Sequence, residues 1–329
     1  MTADEHQILE LLLHLNGQGL FANVFEVMYM KILTILHSNE NVVVPGRAAL
    51  CRLFTAMCRI QGDTSRVCVL AYTAVRHSFH AFPRMILAIA AVWPEALKAS
   101  RGEGRCVMRS LQYIVSRTLQ EIKVSHCQMW QCLAKLCWWQ RPANAQEEAT
   151  ILAKCAIDKL LHSSDEAQLY DCEKALELLS VKEGWQWTNN HLIIKLIWPV
   201  LQTWATRGQH SLSDRAIGSL LRILGVVTFS CPLQYVTAAH DILQTLQALL
   251  SQSVNATVPV CDTIQEAVLE ALMLLAPFRP DVSAQACYTW VTHRHKQQPL
   301  QPHVKSKIHD FVEHYKVQFR YLAQLTSML

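Results

Sequence analysis

Glycine and proline are scarce in this sequence, with 10 and 11 residues in a chain of 329. A β-sandwich or barrel needs turn residues at short intervals, so the shortage favours long helices joined by short turns. Charge is scarce too: 17% of residues are Asp, Glu, Lys or Arg, against 51% hydrophobic. Ordinary domains carry about 25% charged residues. A disordered chain is excluded, because there is much apolar surface to hide. No run of about 18 uncharged apolar residues occurs, so a membrane span is not expected. Met1-Thr2-Ala3-Asp4-Glu5-His6 is acidic where a secretory signal is basic.

Several chemistries lack their motifs. There is no Gly-x-x-x-x-Gly-Lys-Ser/Thr loop, no Gly-x-Ser-x-Gly elbow and no His-Glu-x-x-His. None of the 12 cysteines forms a Cys-x-x-Cys pair, and Cys127, Cys132 and Cys137 rotate around a helix instead of converging on one metal. They read as small hydrophobes in a reducing compartment, cytosol or nucleus. On that reading Asn255-Ala256-Thr257 is a chance glycosylation match. No cofactor and no catalytic residue is expected.

What is present is helical. Apolar residues recur every three or four positions over 5–15, 20–37, 45–60, 64–77, 83–93, 104–122 and 125–139. The pattern continues over 146–161, 165–181, 188–206, 212–229, 232–252, 261–276, 281–296 and 302–327. Gly62, Asp63, Ser163-Ser164-Asp165, Ser213-Asp214 and Asp281 supply stops and caps. Pro199 and Pro94, each after a Trp, mark kinks or breaks. The expected fold is all-α, an irregular helical-repeat (TPR/HEAT-like) solenoid of about fourteen helices without a strict period. Gln140 to Ala145 is the best linker. It divides an N-terminal helical lobe, 1–140, from a C-terminal one, 146–329, with one continuous array as the alternative. The centre is expected at Trp185–Trp204, where four tryptophans in twenty residues demand helices on several sides.

Candidate chemistry is thin. Gly17-Gln18-Gly19-Leu20-Phe21-Ala22 fits a loose dinucleotide loop, but the helix before it argues for an inter-helix turn. His309, Asp310, Glu313 and His314 share a helix face as zinc ligands might, with a solvated face the plainer reading. Glu173 and Glu177 share a face as a catalytic pair would, with surface solvation the plainer reading because nothing nearby suggests a substrate pocket. The net charge of +4 is concentrated in 291–329, where Arg294, Lys296, Lys305, Lys307, Lys316 and Arg320 face Asp310 and Glu313. Aromatics interleave there, as in nucleic-acid binders. Phe311, Tyr315 and Phe319 also fit the buried stripe of a last helix. The cations are expected to stay exposed in either case. Partner-binding candidates are therefore Trp185, Trp187 and Trp204, as interface anchors, and Arg294, Lys296, Lys305 and Lys307.

Particular patches carry a family likeness. Val44-Pro45-Gly46-Arg47-Ala48-Ala49-Leu50-Cys51-Arg52-Leu53-Phe54-Thr55-Ala56-Met57-Cys58-Arg59 with Gly62-Asp63 resembles the C-terminal region of the little elongation complex subunit 1 family. So do Val92-Trp93-Pro94, Trp185-Gln186-Trp187-Thr188 with Leu196 to Trp204, and Ser213-Asp214 leading into Leu220 to Gly225. The likeness spans about 44–225, in the family's order, and implies a C-terminal piece of a much longer subunit. It implies a non-enzymatic nuclear scaffold, Cajal body-like in location. Its expected partners are the other little elongation complex subunits and an ELL-type elongation factor. That complex supports RNA polymerase II transcription of small nuclear RNA genes. The alternative is a nucleic-acid-binding helical-repeat protein that uses the basic C-terminal helices.

Overall fold

A computed structural model describes residues 2–37, 44–77, 81–98, 106–116, 127–139, 146–207, 212–255, 260–294 and 300–328. The all-α expectation holds: no strand occurs among the described residues. The predicted linker, 140–145, lies outside them. The chain divides into two compact units, Met1–Leu152 and Ala153–Leu329.

The first unit holds α1 (Ala3–Gly17), α2 (Phe21–His37), α3 (Val44–Gln61), α4 (Thr64–His77), α5 (Phe82–Val92), α6 (Pro94–Lys98), α7 (Cys106–Ser116) and α8 (Cys127–Trp139). Thr2 and Glu5 close a reciprocal capping box at the start of α1. Glu5 also accepts from the Nε of Arg52 at 3.1 Å, tying α1 to α3. At the end of α3 the predicted stop is real. Gly62 has φ +69°, a conformation that suits glycine. The Asp63 carboxylate then caps α4 by accepting from the Arg66 N–H at 3.2 Å. Phe54, Met57, Leu70, Phe82, Met85 and Ile89 are buried in the core. Trp93-Pro94 is a true break between α5 and α6. The Gly17–Ala22 segment is the turn from α1 into α2, with Gly19 at φ +72°.

The helix α9 (Gln146–His162) crosses the boundary between units. The second unit continues with α10 (Glu166–Glu183), short α11 (Trp185–Trp187), a π-helix (Thr188–Ile197), α12 (Trp198–Arg207) and α13 (Asp214–Phe229). There follow α14 (Val236–Asn255), α15 (Asp262–Leu274), α16 (Pro280–Arg294), α17 (Pro302–Tyr315) and a 3₁₀ segment, Arg320–Ser327. Asp165 caps α10 by accepting from the Gln168 N–H at 2.9 Å.

Two features differ from expectation. The helix expected over 188–206 is wound as a π-helix before Pro199. The Trp198 N–H bonds the Ile193 carbonyl, five residues back. Proline has no N–H, and its ring presses on the carbonyl four residues earlier. Widening the turn carries the chain past Pro199 without ending the helix. The helix expected over 302–327 stops at Tyr315 and resumes as the 3₁₀ turn. Phe311 is accordingly buried while Tyr315 and Phe319 are only half-buried.

The tightest contact of the second unit is α13 on α15. Gly218 and Gly225, seven residues apart, lie two turns apart on one face of α13. A Cβ built on Gly225 falls 2.8 Å from the Ala271 Cβ, and one on Gly218 falls 3.6 Å from the Ala267 Cβ. Small residues on both helices let the backbones meet. Trp187 is fully buried, and Trp290 donates its indole N–H to Gln265 Oε1 at 2.9 Å.

Candidate partner-binding surface

The three tryptophans singled out above are interior: Trp185, Trp187 and Trp204 are 7%, 1% and 4% exposed. Trp187 lies parallel to the His191 ring, with centroids 6.4 Å apart. Trp198, which was not singled out, is half-buried and faces a groove.

Half of the cations of 291–329 are paired within the fold. The guanidinium of Arg294 is buried and bidentate on Asp262, so the expected exposure does not hold for it. Lys307 sits 2.9 Å from Glu270, and Lys316 lies 2.6 Å from Glu313. Lys305 and Arg320 are exposed, and Lys296 lies outside the described residues. Three of the six cations of 291–329 therefore carry their own carboxylate. That leaves a weak field for a polyanion, whose affinity rests on phosphate neutralisation.

Two grooves open on the second unit, one on each flank of α13. The first, of about 250 Å³, lies among α12, α13 and α14. Trp198, Leu201, Leu221, Leu224, Leu246 and Leu249 line it, and its only polar liners are Gln202, Thr245 and Gln252. Trp204 also lines it, and its buried indole N–H meets no acceptor among the described residues. Leu201 and Leu249 are half-buried, so apolar carbon is left facing water.

The second groove, of about 440 Å³, runs among α10, α13, α15 and α17. Its apolar wall is Val226, Met273, Leu274 and Phe311. Its floor is ionic. Arg222 donates through Nε to Glu270 Oε2 at 3.1 Å, and Lys307 approaches Oε1 of the same carboxylate at 2.9 Å. Glu173 joins them from α10. Burial pushes its carboxyl above the usual range, while the Ser219 hydroxyl and Arg222 pull it back. A smaller recess shares Glu173 and Arg222 and adds Glu166 and Arg215, which lie 3.6 Å apart.

Glu173 and Glu177 are not a solvated pair. Glu177 is bonded to Lys174 at 2.5 Å on the outside of α10. Glu173 turns inward, four residues away, because α13 crosses α10 there. No periodicity marks this, since a glutamate reads as polar whether water or an arginine faces it. Glu313 is taken by Lys316, and the His314 ring lies edge-on to Tyr315. Among the described residues no three His, Cys, Asp or Glu side chains come together as metal ligands. Most of the described cysteines behave as small hydrophobes, Cys155 being exposed: burial raises the thiols of Cys51, Cys58, Cys106, Cys172 and Cys287 to about 12. No described helix is long and apolar enough to cross a membrane.

Both grooves lie inside the segment that matches known proteins. Residues 161–311 match the family profile described as Little elongation complex subunit 1, C-terminal domain. The protein named Little elongation complex subunit 1 of Mus musculus is 22% identical over 262 residues, covering 74% of this chain and 11% of its own length. Its namesake in Homo sapiens is 22% identical over 269 residues, covering 76% of this chain and again 11% of its own length. The chain thus spans about a ninth of the curated relatives it matches. No solved structure matches it.

Proposed function

From a chain that carries a C-terminal region of the little elongation complex subunit 1 family, we propose a non-enzymatic helical scaffold that docks partner subunits of a little elongation complex. On this reading it acts in the nucleus and serves RNA polymerase II transcription of small nuclear RNA genes. An ELL-type elongation factor is among the subunits it would help to hold. The observation that carries the reading is the apolar groove of α12, α13 and α14, which lies in the family-matching segment and leaves Trp198, Leu201 and Leu249 partly open to water. Apolar surface of that kind is covered when a partner helix lays its own apolar face into it. The docking is a matter of burial alone, with no bond made or broken.

The test is capture from nuclear extract with the tagged chain, identified by mass spectrometry. Little elongation complex subunits should be retained at moderate salt and lost with Leu249→Asp, which puts a charge into the groove while helical circular dichroism is kept. Capture that is unchanged by this substitution, or the absence of those subunits, would refute the reading.

A further inference from the structure

We infer that the groove among α10, α13, α15 and α17 seats one basic side chain, arginine or lysine, carried by a docking protein segment. The segment's apolar residues would lie along Val226, Leu274 and Phe311. The inference rests on the scaffold reading and names the chemistry of one of its partners.

The charges in the groove do not close. Glu173, Glu270 and Asp310 are three carboxylates against two cations, Arg222 and Lys307. Both cations are drawn to one carboxylate, Glu270, at 3.1 and 2.9 Å. Glu166 and Arg215 at the far end match each other and leave the balance unchanged. Glu173 has the Ser219 hydroxyl beside it and no ion pair among the described residues. Lys174, its neighbour on α10, is committed to Glu177 on the outer side. Asp310 is exposed to water, so the carboxylate left without a cation of its own in partly dry surroundings is Glu173.

A carboxylate withdrawn from water is costly unless a cation or hydrogen bonds replace the water. Its own fold supplies one hydroxyl and the side of a guanidinium already spent elsewhere. An incoming guanidinium or ammonium supplies the missing charge and several N–H donors. An acidic ligand would meet Glu173, Glu270 and Asp310 together and be repelled. The apolar wall then decides between a free cation and a side chain. Arginine and lysine stems cover apolar surface with their methylenes while the head stays polar. Val226, Leu274 and Phe311 offer that surface next to the charge. The volume, about 440 Å³, exceeds one side chain and leaves room for an apolar neighbour on the same segment.

The probe is a phage-displayed library of random linear peptides panned on the full chain. Enriched peptides are resynthesised with fluorescein and measured by anisotropy. They should carry an arginine or lysine within one helical turn of a bulky apolar residue. Glu173→Gln should weaken them at least about tenfold, since it unpairs a buried charge. Replacing the peptide's own cation by glutamine should cost as much on the unaltered chain, a measurement that needs no folded variant. Glu173→Lys should restore binding of the peptide in which that cation becomes glutamate. Enrichment without a basic residue, or equal affinity for Glu173→Gln, overturns the inference. So does dimerisation in sedimentation velocity that Glu173→Gln abolishes, because the occupant would then be a second copy. If the peptides fail while nuclear capture through the apolar groove succeeds, this inference alone falls.

Discussion

Gly225→Ala adds one methyl group at the tightest point of the second unit. The new Cβ would stand 2.8 Å from the Ala271 Cβ and 2.9 Å from its Cα. Carbon atoms rest at about 3.5–4.0 Å, so the helices must separate by about 0.7 Å there. No rotamer change relieves the clash, because the opposing atoms are backbone and Cβ. Overpacking of this kind costs about 1–3 kcal/mol. Alanine's better helix propensity returns about 1 kcal/mol, leaving a net loss of up to about 2 kcal/mol. Gly218→Ala is the internal control on the same face. Its Cβ would meet neighbours at 3.5 and 3.6 Å, ordinary contact. There the propensity gain stands alone, about 0.5–1 kcal/mol of added stability. Urea unfolding by circular dichroism should move the midpoint down for Gly225→Ala and up for Gly218→Ala, at constant slope. A Gly225→Ala midpoint at or above that of the parent chain, or the same sign for both, would refute the packing argument.

Glu173→Gln should stabilise the chain at pH 7. Burial raises this carboxyl, so the folded state holds its proton more firmly than the unfolded one. Stability from that group is present at low pH and is lost as pH rises from the ordinary value of 4.5 through the raised one. The midpoint difference between variant and parent should therefore widen from pH 4 to pH 7 in thermal melts; a constant difference would count against it. Trp187→Ala should cost about 3–5 kcal/mol, because the side chain is 1% exposed. Thermal denaturation should show the drop, and a midpoint within a degree or two of the parent would contradict the burial.

Much of the helical architecture was legible because helix period and caps are local properties. Gly62, Asp63 and Asp165 work as caps because each needs only its next few residues. Val92-Trp93-Pro94 was legible as a break for the same reason. The π-helix was not, since Pro199 announces strain without saying whether the chain breaks or widens. The unit's centre was placed at the tryptophans, whose bulk draws the eye. The closest packing lies at Gly218 and Gly225, where the absence of a side chain is the signal. Among the candidate binders, charge alone could not show that Arg294 would be claimed by Asp262, thirty-two residues earlier. Nor could it show Lys307 turning to Glu270. Ion pairing between distant helices depends on the crossing of those helices, which has no local trace. Glu173 was noticed only as one of a pair with Glu177, and its turn toward Arg222 and Ser219 had no local trace for the same reason.

One helix, α13, forms a wall of both grooves, and its backbone is pressed against α15 too closely to slide or lift. The two surfaces are therefore held ready before any partner arrives. Association with either should be governed by diffusion and orientation, without waiting for helices to part, and differences in affinity among partners should appear chiefly in how long each stays bound.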